Sequence, residues 1–435
     1  MHHDSDPPRG LTVAPAPDIA PRLLRDIDGV EDLTAYRAEG GYRALDSAEG
    51  LLGEVGTAGL RGRGGAGFPI AVKLSGVRAA ALRGSRTVAL ANGEEGEPAS
   101  IKDKWLMRHR PHLVLDGLRL AAAVAGAHRA VVYLSDAESA RSVDEALSEL
   151  DATAILDVPI ELVLVEPGYV AGEETAAVRA VNGGPAKPTD KPPRPFESGV
   201  EGLPTLVNNV ETLAHLPFIH AHGGEAFRSV GTTDSPGTFL ATVTGGGRGP
   251  GLYELAHGTA FSTLLDLHGV PASEVRGALM GGYFSGLLGL PVLDATLDHE
   301  SLRALGSALG CGAVALLTDE CPVTIAAAVL AYFDRENAGQ CGSCFNGTAA
   351  MAAAATALHE HRATDSDIAN LRRWSRVLRG RGACATLDAA ANIAASLLTA
   401  FPTEVSTHLT GRCPACADPD PLPLRPFQAE TAVLA

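Results

Sequence analysis

The stretch "RTVALANGEEGEP", Arg86–Pro98, decides how the rest of the chain is read. Its first half holds a short apolar run bounded by turn-forming residues, the pattern of a buried strand. The run ends at Asn92 and Gly93, and Glu94, Glu95 and Glu97 follow at once. A strand whose carboxyl end opens into glycines and acids matches the place where open α/β sheets receive ligands. Beyond it, "PHLVLDGLRLAAAVAG" has helical spacing and stops at a glycine, and "HRAVVYL" is a second buried strand. "IELVLVEPG" is a third, and "GEETAAVRAVNG" starts another helix. Strands alternating with helices predict a parallel, layered α/β domain over residues 29–232.

Upstream lies "GLRGRGGAGFP", Gly59–Pro69, the densest signal in the chain. Glycines in series remove side chains, so backbone N–H groups can converge on an anion. Arg61, Arg63 and Lys73 add positive charge. The stretch suits a phosphate with a flat ring laid on bare backbone. It fits neither the P-loop spacing nor the dinucleotide fingerprint, and a plain flexible loop shares its composition. Read alone, "NGEEGEPASIKDKW" is equally a solvated acidic turn, and "GYVAGEETAAVRAVNG" repeats its strand–glycine–acid–helix order.

The remaining segments differ in texture. Residues 1–28 are Pro- and Asp-rich and read as a loose N-terminal segment. "GGPAKPTDKPPRPFESGVEGLP" is too Pro-rich for regular structure and reads as an ordered surface arm. Residues 233–316 hold a hairpin ("GTFLATVTG" and "GGRGPGLYEL"), a short helix ("AFSTLLDLHG") and Gly-broken strand text, a small β-rich module. Residues 317–408 carry four Ala-rich helical segments that read as a helical bundle. Residues 409–435 form a Pro-rich tail.

Of 435 residues, 46% are hydrophobic and 20% charged, ordinary for a globular chain long enough for two or three domains. The formal charge of −16, with 35 basic against 51 acidic residues, argues against broad nucleic-acid or anionic-membrane binding. No apolar run approaches the length of a spanning helix, and no basic-then-apolar signal opens the chain, so a cytoplasmic location is expected. Seven cysteines, at 311, 321, 341, 344, 384, 413 and 416, suit metal or redox chemistry better than a disulfide framework. Cys341 and Cys344 form a C-x-x-C. Cys311 and Cys321 sit in apolar text and read as small buried hydrophobes. The tail's C-P-A-C reads equally as an unligated dithiol on a disordered end or as a metal site.

"GLRGRGGAGFP", "NGEEGEP…KD", "YVAGEETA", "LPTLVNNVETLAHLP" and the Cys-bearing helical region occur in one order over residues 45–400. In that combination the chain resembles the NADH-oxidising, flavin-bearing subunit of respiratory complex I (the F-type subunit of NADH-quinone oxidoreductase) and its relatives in soluble hydrogenases and formate dehydrogenases. The resemblance implies an α/β domain binding FMN and NADH, a ubiquitin-like β-grasp module of the soluble-ligand-binding type, and a helical bundle holding a [4Fe-4S] cluster. It implies FMN contacts from Gly62, Arg63, Gly64, Gly65, Ala66 and Gly67, with Lys73, Asn92, Glu94, Asn208, Asn209 and Thr212. NADH would lie near Phe68, Glu95, Glu97, Tyr169, Gly172, Glu173, Glu174 and Phe196. Glu95 and Glu97 are the acids placed beside the reacting rings, although hydride transfer needs no acid or base. Glu174 corresponds to the carboxylate that repels a 2′-phosphate. One aromatic expected after Lys73 is replaced by Leu74, Ser75 and Gly76, which predicts a lost stacking contact of about 1 kcal/mol.

The same resemblance calls for four cluster cysteines. Ala338 stands at the first, and Cys341, Cys344 and Cys384 at the others. A cluster on three thiolates, as [4Fe-4S] or [3Fe-4S], is expected, with Glu336, Asn337, Cys321 or the pair Cys413 and Cys416 as substitutes for the missing ligand. Three cysteines plus another ligand also suit zinc, and the C-x-x-C also suits a bare dithiol. The implied partners are a ferredoxin-like or thioredoxin-like iron–sulfur protein, or a quinone-reducing complex. Arg372, Arg373, Arg376, Arg379 and Arg381 stand out in so acidic a chain, with 372, 376 and 379 on one helix face, as a docking patch for an acidic electron carrier. Two other readings stand beside the dehydrogenase: a cluster-less FMN diaphorase and a non-catalytic NADH-binding subunit.

Overall fold

The computed structural model describes residues 10–25, 29–153, 155–411, 413–416 and 421–430. The run around Arg86 forms strand β2, Val88–Asn92, at the centre of a parallel sheet. With β1 at Thr12–Pro15, β3 at Arg129–Leu134, β4 at Ile160–Leu164 and β5 at Thr205–Asn209, the order in this sheet is β4-β3-β2-β5. Its strands read as apolar runs because helices cover both faces. The helix Pro111–Ala125 is buried nearly throughout; Gly117 is required there because a Cβ would meet the carbonyl oxygen of Leu213 at 2.1 Å. Register pairs Asn92 with Tyr133 and with Asn209, so the strands open at one edge.

A second, mixed sheet follows, from β6 (Thr238–Gly245), β7 (Arg248–Ala256), β9 (Gly277–Met280), β10 (Leu287–Leu288) and β12 (Ala313–Leu317). The short pair β8 (Thr259–Ala260) and β11 (Thr296–Leu297) stands apart. The order β1-β7-β6-β12-β9-β10 contains β1, from the segment expected to be loose. Buried Glu254 explains the difference. Its carboxylate accepts the backbone N–H groups of Arg22, Leu23 and Leu24, and β1 pairs in parallel with β7 at the sheet edge, a position where Pro15 is tolerated.

Five helices follow: Pro322–Glu336, Gly342–His359, Asp365–Val377, Thr386–Ala400 and Pro402–Thr410. The fifth was not expected, because "PTEVSTHLT" is rich in β-branched residues with weak helix propensity. Arg379 lies beyond the end of its helix, and its guanidinium donates to Asn392 at 2.5 Å, so it does not share a helix face with Arg372 and Arg376. Among the described residues, no helix is long and apolar enough to cross a membrane.

Candidate active site

The glycine stretch closes on itself. Gly62 N–H donates to Phe68 O at 2.8 Å, and Gly65 and Gly67 take positive φ, +115° and +61°. A Cβ on Gly64 would stand 3.1 Å from Cβ of Asn209, so a side chain there would require the end of β5 to give by a few tenths of an ångström. Arg63 N–H donates to Thr212 Oγ1 at 2.8 Å, joining the loop to the "NNVET" turn. The Arg63 side chain is buried and donates to the carbonyls of Pro236 and Thr238, so its guanidinium ties the parallel sheet's domain to the mixed sheet.

The two acidic loops meet backbone to backbone. A Cβ on Gly96 would fall 2.7 Å from Gly168 O, and one on Gly172 would fall 2.8 Å from Glu94 O. Asn92 Nδ2 donates to Gly172 O at 2.8 Å and its Oδ1 accepts from Glu94 N–H. Asn209 accepts from Glu211 N–H as a helix cap and donates to Asp103 at 2.7 Å. Beneath them, fully buried Lys102 bridges Asp103 at 2.7 Å and Glu211 at 2.9 Å. Lys102 and Glu211 were not singled out in the sequence; the "K…D" of the acidic motif was the available signal.

The carboxylates are not alike. Glu95 accepts from Ser100 Oγ and from Lys104 N–H, and burial raises its carboxyl. Glu97 accepts from Tyr283 N–H and Ala99 N–H, yet burial pushes it up to about 8. Glu173 caps the helix Glu174–Val181 and pairs with Lys191 at 2.7 Å. Burial would raise the Glu174 carboxyl, but Lys73 and Lys191 together hold it below the ordinary range. Two acids therefore face two lysines. Phe68 and Phe196 are exposed aromatics on this rim, and Phe196 lies over Gly76, while Leu74 is core.

Glu97 gives a pH prediction. Its carboxyl is raised, so as pH climbs from the ordinary carboxylate range through about 8 the folded state must ionise a group that prefers its proton, and stability falls. In the same window a new negative charge would face the anionic dinucleotide that the family resemblance implies beside Glu97. The KM for NADH should rise about fivefold across that titration. Glu97→Gln should flatten the rise, and a wild-type KM independent of pH would contradict the assignment.

Six of the seven thiols fall into two groups. Cys341, Cys344 and Cys384 line one cleft with Pro188, Ala338 and Gln340. Burial, together with Cys384 and Cys341, pushes the Cys344 thiol up to about 12, so Cys344 holds its proton unless a cation replaces it. Cys321, Cys413 and Cys416 lie elsewhere, around His408, and supply no ligand to the trio. Cys321 is buried as expected but is not merely a packing residue, and the C-P-A-C is not a free end. Asn337 is also engaged: its amide donates to Asp334 O and Thr348 Oγ1. Cys311 approaches Gly281 O at 3.8 Å.

The acidic loops and the thiol cleft are bridged by intermediate residues. Tyr169 packs edge-on to Tyr332 and Phe333, with ring centroids at 5.7 and 5.2 Å. From the Pro-rich arm, Lys187 donates to Ala338 O at 2.9 Å and Pro188 O accepts from Gln340 at 2.7 Å.

Glu94 Oε2 and Asn208 Nδ2 are buried with no hydrogen-bond partner, and buried Arg63 Nε meets only the Glu211 carboxylate, at 4.0 Å. Unmet polar atoms beside a loop whose positive φ at Gly65 and Gly67 disfavours side chains fit a bound group that is flat and rich in hydrogen-bonding atoms, as a flavin is. The thiol trio fits a cluster held by three thiolates, and Ala338 offers no fourth.

Residues 55–217 match the Nuo51 FMN-binding domain family, and residues 324–408 match the NADH-ubiquinone oxidoreductase-F iron–sulfur binding region. The second of the NADH-quinone oxidoreductase F subunits of Rhizobium meliloti (strain 1021) is 34% identical over 91% of this chain and 99% of its own length. The NADP-reducing hydrogenase subunit HndC of Solidesulfovibrio fructosivorans is 30% identical over 90% of this chain and 83% of its own. A crystal structure of an NAD+-reducing [NiFe]-hydrogenase in the H2-reduced state superposes with a TM-score of 0.77 at 31% identity, over 85% of this chain. The present chain covers 64% of that hydrogenase chain. The chain belongs to the family of NADH-quinone oxidoreductase F subunits, FMN-dependent NADH dehydrogenase modules with an iron–sulfur region.

Proposed function

We propose that this chain oxidises NADH on an FMN held by Gly62–Gly67, Lys73, Asn92, Glu94, Asn208, Asn209 and Thr212, and hands single electrons through a three-thiolate cluster at Cys341, Cys344 and Cys384 to a soluble protein acceptor. The observation that carries this reading is the short link between the acidic loops and the thiol cleft, with Tyr169 packed on the helix that leads to the cleft and the Pro-rich arm bonded to its wall. FMN, when bound, accepts two electrons as hydride and releases them singly. The protein's own work is positional. Glycine loops bring backbone against the ring, Phe68 and Phe196 offer stacking faces, and Lys73 and Lys191 offset Glu173 and Glu174 where the dinucleotide lies. Because both lysines pair with Glu174, rejection of a 2′-phosphate by that carboxylate is weaker than an unpaired acid would give.

The β6–β12 sheet with its helix Phe261–His268 is read as the β-grasp module, and the five C-terminal helices as the cluster-bearing bundle. The working compartment is the reducing cytoplasm, where seven thiols persist. The acceptor is an acidic one-electron carrier, ferredoxin-like or thioredoxin-like. Arg372, Arg373, Arg376 and Arg381 are exposed, and among the described residues no acidic side chain pairs with them. Their segment leads into Cys384. Reversing Arg372 and Arg376 to Glu should slow acceptor-protein reduction about tenfold at low salt while NADH–ferricyanide activity is unchanged. Equal acceptor-reduction rates for wild type and the reversed protein at low salt would remove the docking surface.

A second reading, a diaphorase without a working cluster, is favoured by Ala338 alone.

A further inference from the structure

We propose that Cys321, His408, Cys413 and Cys416 bind one zinc ion, and that this ion pins the C-terminal segment across the acidic loop of the NADH site. The four side chains come from distant places: Cys321 just before the helix Pro322–Glu336, His408 within Pro402–Thr410, and the two tail cysteines on one short turn. Their ligand atoms all lie within 4.8 Å of one another. His408 Nε2 is 3.3 Å from Cys321 Sγ and 3.3 Å from Cys416 Sγ, and Cys413 Sγ is 4.0 Å from Cys321 Sγ. A tetrahedron with zinc–sulfur bonds near 2.3 Å has edges of roughly 3.8 Å, so the cage needs little adjustment.

Three features select a single ion over an iron–sulfur cluster. A cubane gives each thiolate its own iron, which spreads the sulfurs by an iron–iron edge plus two bonds, more than this cage spans. Three sulfurs and one imidazole are a closed structural zinc set with no open position. His408 Nδ1 sits 3.1 Å from Leu358 O, so its N–H donates there and the Nε2 lone pair faces the thiols, the second contact that orients a ligating histidine.

This site is separate from the cleft at Cys341. Cys321 precedes one helix and Cys341 begins the next, which returns alongside it, so the two groups stand about 20 Å apart. Zinc has no redox chemistry and would stay outside electron transfer.

What the ion would hold is visible downstream. Arg335 donates to Leu424 O at 2.6 Å, Tyr283 OH donates to Pro426 O, and Ala429 N–H donates to Pro98 O at 2.9 Å. Glu430 pairs with Lys104 at 2.6 Å and with Arg108 at 3.1 Å. Lys104 N–H donates to Glu95 and Tyr283 N–H to Glu97, beside the donors from Ser100 and Ala99. The anchored segment thus braces the residues that set those two carboxylates.

The test is elemental analysis of the full chain purified anaerobically, with amide exchange as second readout. About one zinc per chain is expected beside the iron. Cys413→Ser/Cys416→Ser and His408→Gln should lose the zinc, keep iron and FMN, and speed exchange over residues 424–430 and 98–104 at least about tenfold. Cys341→Ser/Cys384→Ser should lose iron and keep zinc. Should the first variants fail to fold, wild-type protein loaded with Co2+ should show the thiolate charge-transfer and intense d–d bands of a tetrahedral site made of three sulfurs and one nitrogen. Zinc absent from the wild type, zinc lost with the Cys341 pair instead, iron at the four-ligand site, or a cobalt spectrum without thiolate bands would overturn the site. Zinc-free protein with unchanged exchange would overturn the brace.

Discussion

Gly96→Val should yield a folded but colourless protein with NADH–dye activity lower by about a thousandfold. Gly96 stands where the two acidic loops cross, and a Cβ there would sit 2.7 Å from Gly168 O and 2.9 Å from Tyr169 Cα. Those atoms are backbone and cannot rotate away, so the loops must part. Parting them removes Asn92 from Gly172 and Glu94 from its place beside the cradle. Displacing several groups that touch one ligand costs about 4 kcal/mol of binding, which is the thousandfold loss. Thermal unfolding separates the cases: a midpoint close to wild type with no bound yellow chromophore supports the assignment. A yellow, active Gly96→Val protein would show that the loops do not form the flavin site.

Cys384→Ser should abolish electron delivery to a one-electron protein acceptor while two-electron dye reduction survives. The cleft offers three thiols and Ala338 in place of a fourth, so removing Cys384 leaves two, too few to hold a cluster. Delivery should drop at least about a hundredfold and iron should be lost. The reverse change, Ala338→Cys, should raise iron per chain and slow its loss in air, because Ala338 lines the same cleft and its carbonyl is already fixed by Lys187. An Ala338→Cys protein with iron content and spectrum equal to wild type would mean that some other group already supplies the fourth ligand.

Much of this was legible in the sequence, for local reasons. Strand β2 is a run of small apolar residues ending in Asn-Gly, and the glycines that follow can be replaced by little else once two loops meet backbone to backbone. Such constraints leave a direct mark on residue type. What escaped is non-local. Strand β1 is four residues with a proline, and only its partner β7 and the buried Glu254 make it ordered. The helix Pro402–Thr410 carries β-branched residues and is held by packing rather than propensity, so His408 was not seen as a ligand. Its spacing ahead of Cys413 and Cys416 was the signal available, but Cys321 joins His408 across 87 residues, a distance no local pattern spans. Arg63 illustrates the same limit. Its place in a glycine loop suggests an anion, while burial turns the guanidinium to the carbonyls of Pro236 and Thr238.

The central claim is that one chain holds a flavin which NADH reduces and a cluster which then takes single electrons. Anaerobic addition of NADH to the purified protein, followed by absorption and by low-temperature EPR, tests it most directly. The account predicts bleaching of the flavin bands together with a reduced-cluster signal that disappears in Cys384→Ser. Protein that retains no flavin after reconstitution, or flavin that NADH leaves oxidised, would contradict it.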